Sequence, residues 1–98
     1  MLLIKEEFNE FIDAHIEMFD SPGGEAAALK ELADLVYVCF QYAENLEWNL
    51  LEALSRVHES NMSKLDDNKQ PIRREDGKVL KGPNYKPPFL DDLVHLIC

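Results

Sequence analysis

Apolar residues recur at helical spacing along the first two thirds of the chain, then the pattern stops. From residue 3 to 19, Ile4, Phe8, Phe11, Ile12 and Phe19 gather on one face while Glu6, Glu10, Asp13 and Glu17 take the other, the signature of an amphipathic helix. The turn residues Asp20-Ser21-Pro22-Gly23-Gly24 end it. A second helix is predicted over 25–44, where Leu29, Leu32, Ala33, Leu35, Val36, Val38, Cys39, Phe40 and Tyr42 cover most of the circumference. A helix apolar nearly all round is buried from more than one side. Asn45 marks a stop, and a third helix is predicted over 46–62 with Leu50, Leu51, Leu54 and Val57. Short connections make such helices antiparallel neighbours.

After Lys64 the periodicity is lost in D-D-N-K-Q-P, E-D-G-K and K-G-P-N-Y-K-P-P. A loop of this length is unusual in a small domain and tends to carry function. Within it, D-G-K between I-R-R and V-L-K has the turn chemistry of a small hairpin, and residues 89–97 close the chain as a short helix or extended segment. There are no internal repeats and no strand run strong enough for a sheet. The predicted fold is therefore all-α: an antiparallel bundle of three main helices, completed by dimerisation, with a helical core over 1–62 and a long loop and tail over 63–98 in one domain.

Two acid pairs interrupt this pattern. Glu7/Glu10 and Glu31/Asp34 each stand three residues apart, on one face of a helix that advances about 100° per residue. By that geometry Glu31 projects between Val38 and Tyr42, inside the apolar sector of its own helix, and Glu7 falls at the border of its helix's apolar face. Burying an unpaired carboxylate is costly, so such a group is protonated, ion-paired or metal-bound. An internal ion pair from Lys30 or Arg56 to Glu31 would remove the main physical support for the metal. Otherwise, antiparallel packing brings the two pairs together, and four carboxylate donors with no chelating Cys or His nearby select Mg²⁺ or Mn²⁺ over zinc.

Charge sharpens the picture. The chain of 98 residues carries a net charge of −9, 46% hydrophobic and 30% charged residues. Thirteen acids face only Lys5, Lys30 and Arg56 in residues 1–61, whereas residues 62–88 hold seven bases against four acids. An acidic helical body argues against nucleic acid as a direct ligand, while an acidic body with a basic flap suits a metal plus a phosphate. No apolar run reaches the roughly 18 residues that span a membrane, and the start M-L-L-I-K-E-E lacks a basic leader region. A cytoplasmic location is expected. Cys39 and Cys98 give no disulfide framework and no metal spacing; Cys39 is expected as a small buried apolar residue. His15 is expected to pack on the first helix, His58 to be structural or exposed, and Trp48 to anchor a core or interface.

The order E-E-F-N-E-F-I-D-A, then K-E-L-A-D-L-V-Y-V, then V-H-E-S-N-M-S-K-L-D, then R-E-D-G-K-V-L-K-G-P-N-Y-K-P-P resembles the all-α nucleoside triphosphate pyrophosphohydrolases. That superfamily includes MazG-like proteins, dimeric dUTPases and phosphoribosyl-ATP pyrophosphohydrolase. The resemblance implies that Glu7, Glu10, Glu31 and Asp34 are Mg²⁺ ligands and catalytic residues, with Glu6 contributing through a further metal or a water. It implies hydrolysis of (deoxy)nucleoside triphosphates to the monophosphate and pyrophosphate, with Asn61 facing sugar or base and Lys64 facing phosphate. Lys78, Lys81 and Tyr85 would close over the phosphates, and the protein would be a homodimer or a dimer of dimers. Relatives usually carry a further segment before the first acidic motif, which here begins almost at Met1, so base selection is left to a dimer partner, to loose specificity or to a segment outside this chain. Two other readings fit the same residues: a phosphoribosyl-ATP pyrophosphohydrolase-like activity, which N-M-S-K and the Pro-rich tail disfavour, and a noncatalytic helical dimerisation or regulatory module.

Overall fold

Helix α1 (Leu2–Glu17) and helix α2 (Gly24–Asn45) form an α-hairpin in the computed structural model, which describes residues 2–95. The chain divides into two compact units, residues 1–47 and residues 48–98, and each is considered by itself.

In the first unit the seam between the helices is written in alternating steps of three and four residues. The half-buried positions on α1 are Ile4, Glu7, Phe11 and Ala14, continued by Met18 after the helix. Those on α2 include Gly24, Glu31, Leu35 and Tyr42, and Ala28 and Val38 between them are buried. Leu3 and Ile4 lie by Val38, Gln41, Tyr42 and Asn45, whereas Phe11, His15 and Met18 lie by Glu25, Ala28, Leu29 and Leu32. The two helices therefore run antiparallel, as their six-residue connection requires. Gly24 permits the tight entry into α2: a side-chain Cβ there would stand 2.3 Å from the Met18 carbonyl oxygen, well inside van der Waals contact.

The inner face of α1 is rotated from the predicted one. Sequence periodicity centred it on Phe8 and Ile12, but these side chains are 49% and 36% exposed, and Glu7 takes a place on the seam. Phe8, Ile12 and Phe19 instead form a second, outward apolar stripe on one side of the hairpin. Leu29, Leu32 and Val36 form its counterpart on α2, and all are open in the single chain. Cys39 is half-buried with a free thiol, less enclosed than expected.

The second unit begins with helix α3 (Leu50–Met62), which starts four residues later than periodicity suggests. Glu47 adopts a left-handed backbone at φ 58, which a helix does not accommodate. Asn49 then caps the new start by accepting a hydrogen bond from the Glu52 amide at 3.0 Å. Beyond α3, strands β1 (Ile72–Arg73) and β2 (Val79–Leu80) pair antiparallel, Ile72 with Leu80 and Arg73 with Val79. This is the hairpin expected around D-G-K. A single 3₁₀ turn, Asp91–Leu93, follows the Pro-rich stretch; the end of the segment predicted over 89–97, and Cys98, lie outside the described residues. Among the described residues, no helix is long and apolar enough to cross a membrane.

Candidate metal centre and basic tail

Glu7 and Glu10 come from adjacent turns of α1 and Glu31 from the facing turn of α2. Each of the three offers a carboxylate oxygen, and these oxygens lie within 4.8 Å of one another. Antiparallel packing is what brings them together, since Glu7 and Glu31 both occupy the seam. Glu31 is less enclosed than its helical position implies, with its side chain 21% exposed. Even so, Oε2 of Glu31 and Oε2 of Glu7 are both buried and without a hydrogen-bond partner. An orphaned buried carboxylate oxygen loses its hydration and gains nothing in exchange.

Asp34 stands at the edge of this group rather than in it. Its carboxylate is drawn to Lys30 Nζ at 2.7 Å, one helical turn back, and the same ammonium stands 3.4 Å from Oε1 of Glu31. The internal ion pair considered from the sequence is thus present in part. It reaches Glu31 from the neighbouring residue, through a lysine that is 67% exposed, and it leaves Oε2 unpartnered. A solvated ammonium shared by two acids compensates little of the repulsion among four.

The crowding is felt most at Glu7, whose carboxyl is held above the ordinary glutamate range. Loss of hydration on the seam is the largest cause, followed by the charge of Glu10 and a hydrogen bond with it, and then by the charges of Asp34 and Glu31. Ionising Glu7 therefore costs more in the folded chain than in the unfolded one. Its contribution to stability is fully present below the unfolded value and is lost as pH rises through the raised value. Melts of metal-free protein between about pH 4 and pH 7 should show the wild type losing stability relative to Glu7→Gln as pH rises. Parallel curves for the two would contradict this account of the cluster.

The donor set fits a hard divalent cation. It offers oxygen ligands alone, in a cluster carrying excess negative charge and two orphaned oxygens, which is what Mg²⁺ and Mn²⁺ take and zinc does not prefer. Glu7, Glu10 and Glu31 would hold such an ion, with Asp34 within electrostatic reach of them. Glu6 is exposed on α1.

The residues predicted to meet a substrate all belong to the second unit. Asn61 is exposed in the last turn of α3, and Lys64 is half-buried just beyond it. The Lys64 carbonyl accepts a hydrogen bond from the Gly82 amide at 2.9 Å, which brings the neighbouring Lys81 to the end of α3. Lys81 Nζ lies 4.8 Å from the centroid of the Tyr85 ring, a cation–π contact. Lys78 follows the hairpin turn, where its amide donates to Asp76.

His15 is exposed, with its ring tilted against Phe11 at 6.4 Å between centroids, and His58 is exposed. Arg56 makes contacts that periodicity passes over. It is the only lysine or arginine of the acidic helix α3, and it closes bidentate on Asp92 at 2.6 and 3.1 Å. The signal for it lay in charge counting: a lone arginine on one side and isolated acids after the basic tail on the other. No match to the chain emerges from comparison with protein-family models or with curated proteins.

Proposed function

We propose that the chain is a divalent-metal-dependent nucleoside triphosphate pyrophosphohydrolase of the all-α, MazG-like kind, working on surplus or noncanonical (deoxy)nucleoside triphosphates. The observation that carries this reading is the convergence of Glu7, Glu10 and Glu31 across the α1–α2 seam, with two of their oxygens buried and unpartnered. Acids retained on an apolar seam at a cost in stability call for a counter-charge, and Mg²⁺ or Mn²⁺ matches the donor chemistry. When bound, the ion supplies charge neutralisation for a polyphosphate and lowers the pKa of water. Glu7, Glu10 and Glu31 would hold and orient it, Asp34 would add its charge from the edge of the group, and a carboxylate of the set would take the proton of the attacking water.

In this reading water attacks the α-phosphorus, the bond from that phosphorus to the bridging oxygen breaks, and pyrophosphate leaves. For the second unit taken by itself, the resemblance implies that Lys64 and Lys81 offer charge to phosphates and Asn61 an amide to sugar or base, with Lys81 set over the Tyr85 ring. The homodimer or dimer of dimers that the resemblance implies is supported by the outward apolar stripes, which a second copy of the same hairpin is suited to cover.

A noncatalytic dimerisation module is the second reading, favoured by the contacts of Lys30 with Glu31 and Asp34. One assay separates them. Incubation with a panel of nucleoside triphosphates and Mg²⁺ should release pyrophosphate and not orthophosphate, and Asp34→Asn should suppress it. Inertness toward the whole panel, with thermal stability unmoved by Mg²⁺, would leave the module reading standing.

A further inference from the structure

The tail of the second unit is tied down far more firmly than its composition suggests. Its ties come from one face of α3. Arg56 Nη1 and Nη2 close on the Asp92 carboxylate at 2.6 and 3.1 Å, and Nη1 also donates to the Phe89 carbonyl at 3.1 Å. One turn on, the buried Ser60 donates from Oγ to the Lys86 carbonyl at 2.7 Å. Ser63 Oγ accepts from the Lys86 amide at 2.9 Å and donates to the Ser60 carbonyl at 2.6 Å. At the far end, Gly82 donates to the Lys64 carbonyl, where a Cβ would come within 2.5 Å of that oxygen.

We propose that Arg56 is a positioning residue: by latching Asp92 and Phe89 it straps residues 82–92 along α3 and so holds Lys81 and Tyr85 at the helix end that carries Asn61 and Lys64. Arginine suits the task because its planar fork grips a carboxylate in two places and a carbonyl besides. Pro83, Pro87 and Pro88 lower the number of conformations the strap loses on docking. Glu52, bonded to Nε of Arg56 at 3.0 Å, steadies the fork. The consequence for a substrate rests on the pyrophosphohydrolase reading; the latch itself does not.

Hydrogen exchange at the Gly82 and Lys86 amides reads the latch directly. Arg56→Met should speed both by at least tenfold, and Asp92→Asn by at least threefold. Asp92→Asn added to Arg56→Met should change them by less than 1.5-fold, because the partner is already gone. Arg56→Lys should fall between wild type and Arg56→Met, and Glu52→Gln should stay within twofold of wild type. If Arg56→Met does not fold, the exposed Asp92→Asn carries the test alone. Exchange within twofold of wild type in Asp92→Asn, or independent and multiplicative effects in the double variant, would overturn the proposal. Where triphosphate turnover is measurable, Arg56→Met should raise KM at least fivefold with kcat retained. A fall in kcat at unchanged KM would contradict the positioning role, whereas absence of turnover in the wild type would count against the enzymatic reading and leave the exchange result as it is.

Discussion

Glu31→Gln should abolish triphosphate cleavage and, in the absence of divalent ions, make the chain more resistant to heat. The two effects have one cause. Glutamine keeps the size and shape of the side chain but removes a negative charge from a group whose carboxylate oxygens lie within 4.8 Å of one another, so the repulsion that the bare cluster suffers is relieved. Its amide also carries N–H donors, which an ionised carboxylate lacks. Relief of about 1 kcal/mol corresponds to a rise in Tm of about 4 °C or more for a domain of this size. On the proposed function the same change would remove a ligand for the divalent ion, and turnover should fall by about a hundredfold or more. Thermal melts in EDTA together with a pyrophosphate release assay check both halves. An ordinary surface acid would leave both unchanged, and an acid whose role is to bind Lys30 would lower the melting temperature when replaced.

The second large effect concerns association. Among the described residues the buried apolar ones are Ala28, Val38 and Ala43, a small core even for a chain of this length. Phe8, Ile12, Leu29, Leu32 and Val36 meanwhile stand open along two stripes at helical spacing. Covering a large apolar side chain contributes about 1.5–3 kcal/mol, so burial of a few such residues on each copy would stabilise a dimer. Ile12→Glu and Val36→Glu, which leave Glu7, Glu10, Glu31 and Asp34 in place, should each shift the protein to monomers at micromolar concentration. Each places an acid where the partner's stripe would bury it without a counter-charge. Sedimentation velocity against the wild type decides the matter. A wild type that is already monomeric, or variants that associate as strongly as it does, would remove the dimer from the account.

The helices were legible because their apolar spacing is long and regular, and D-G-K announced its hairpin through turn chemistry. Other features were not. The start of α3 was placed too early because Leu46 and Trp48 extend the apolar pattern backward, while the left-handed backbone at Glu47 and the cap at Asn49 decide where the helix begins. The acid quartet was legible as two pairs, but the sequence does not show that a lysine one turn away draws Asp34 aside while Glu7, Glu10 and Glu31 close up. Nor does periodicity reveal which apolar face turns inward when a helix has two; on α1 the seam took Ile4, Glu7 and Phe11, leaving Phe8 outside. The strap was hidden because its ties join residues some 18 to 36 positions apart, most of them through backbone groups that leave no trace in side-chain patterning.

The central claim is that Glu7, Glu10 and Glu31 hold a divalent ion, and titration with Mn²⁺ followed by electron paramagnetic resonance tests it most directly. The account predicts saturable loss of the free-ion signal in the wild type, recovery of that signal on addition of Mg²⁺, and no saturable binding in Glu31→Gln. Binding that survives Glu31→Gln unchanged, or a wild type that leaves the Mn²⁺ signal untouched at millimolar concentration, would contradict it.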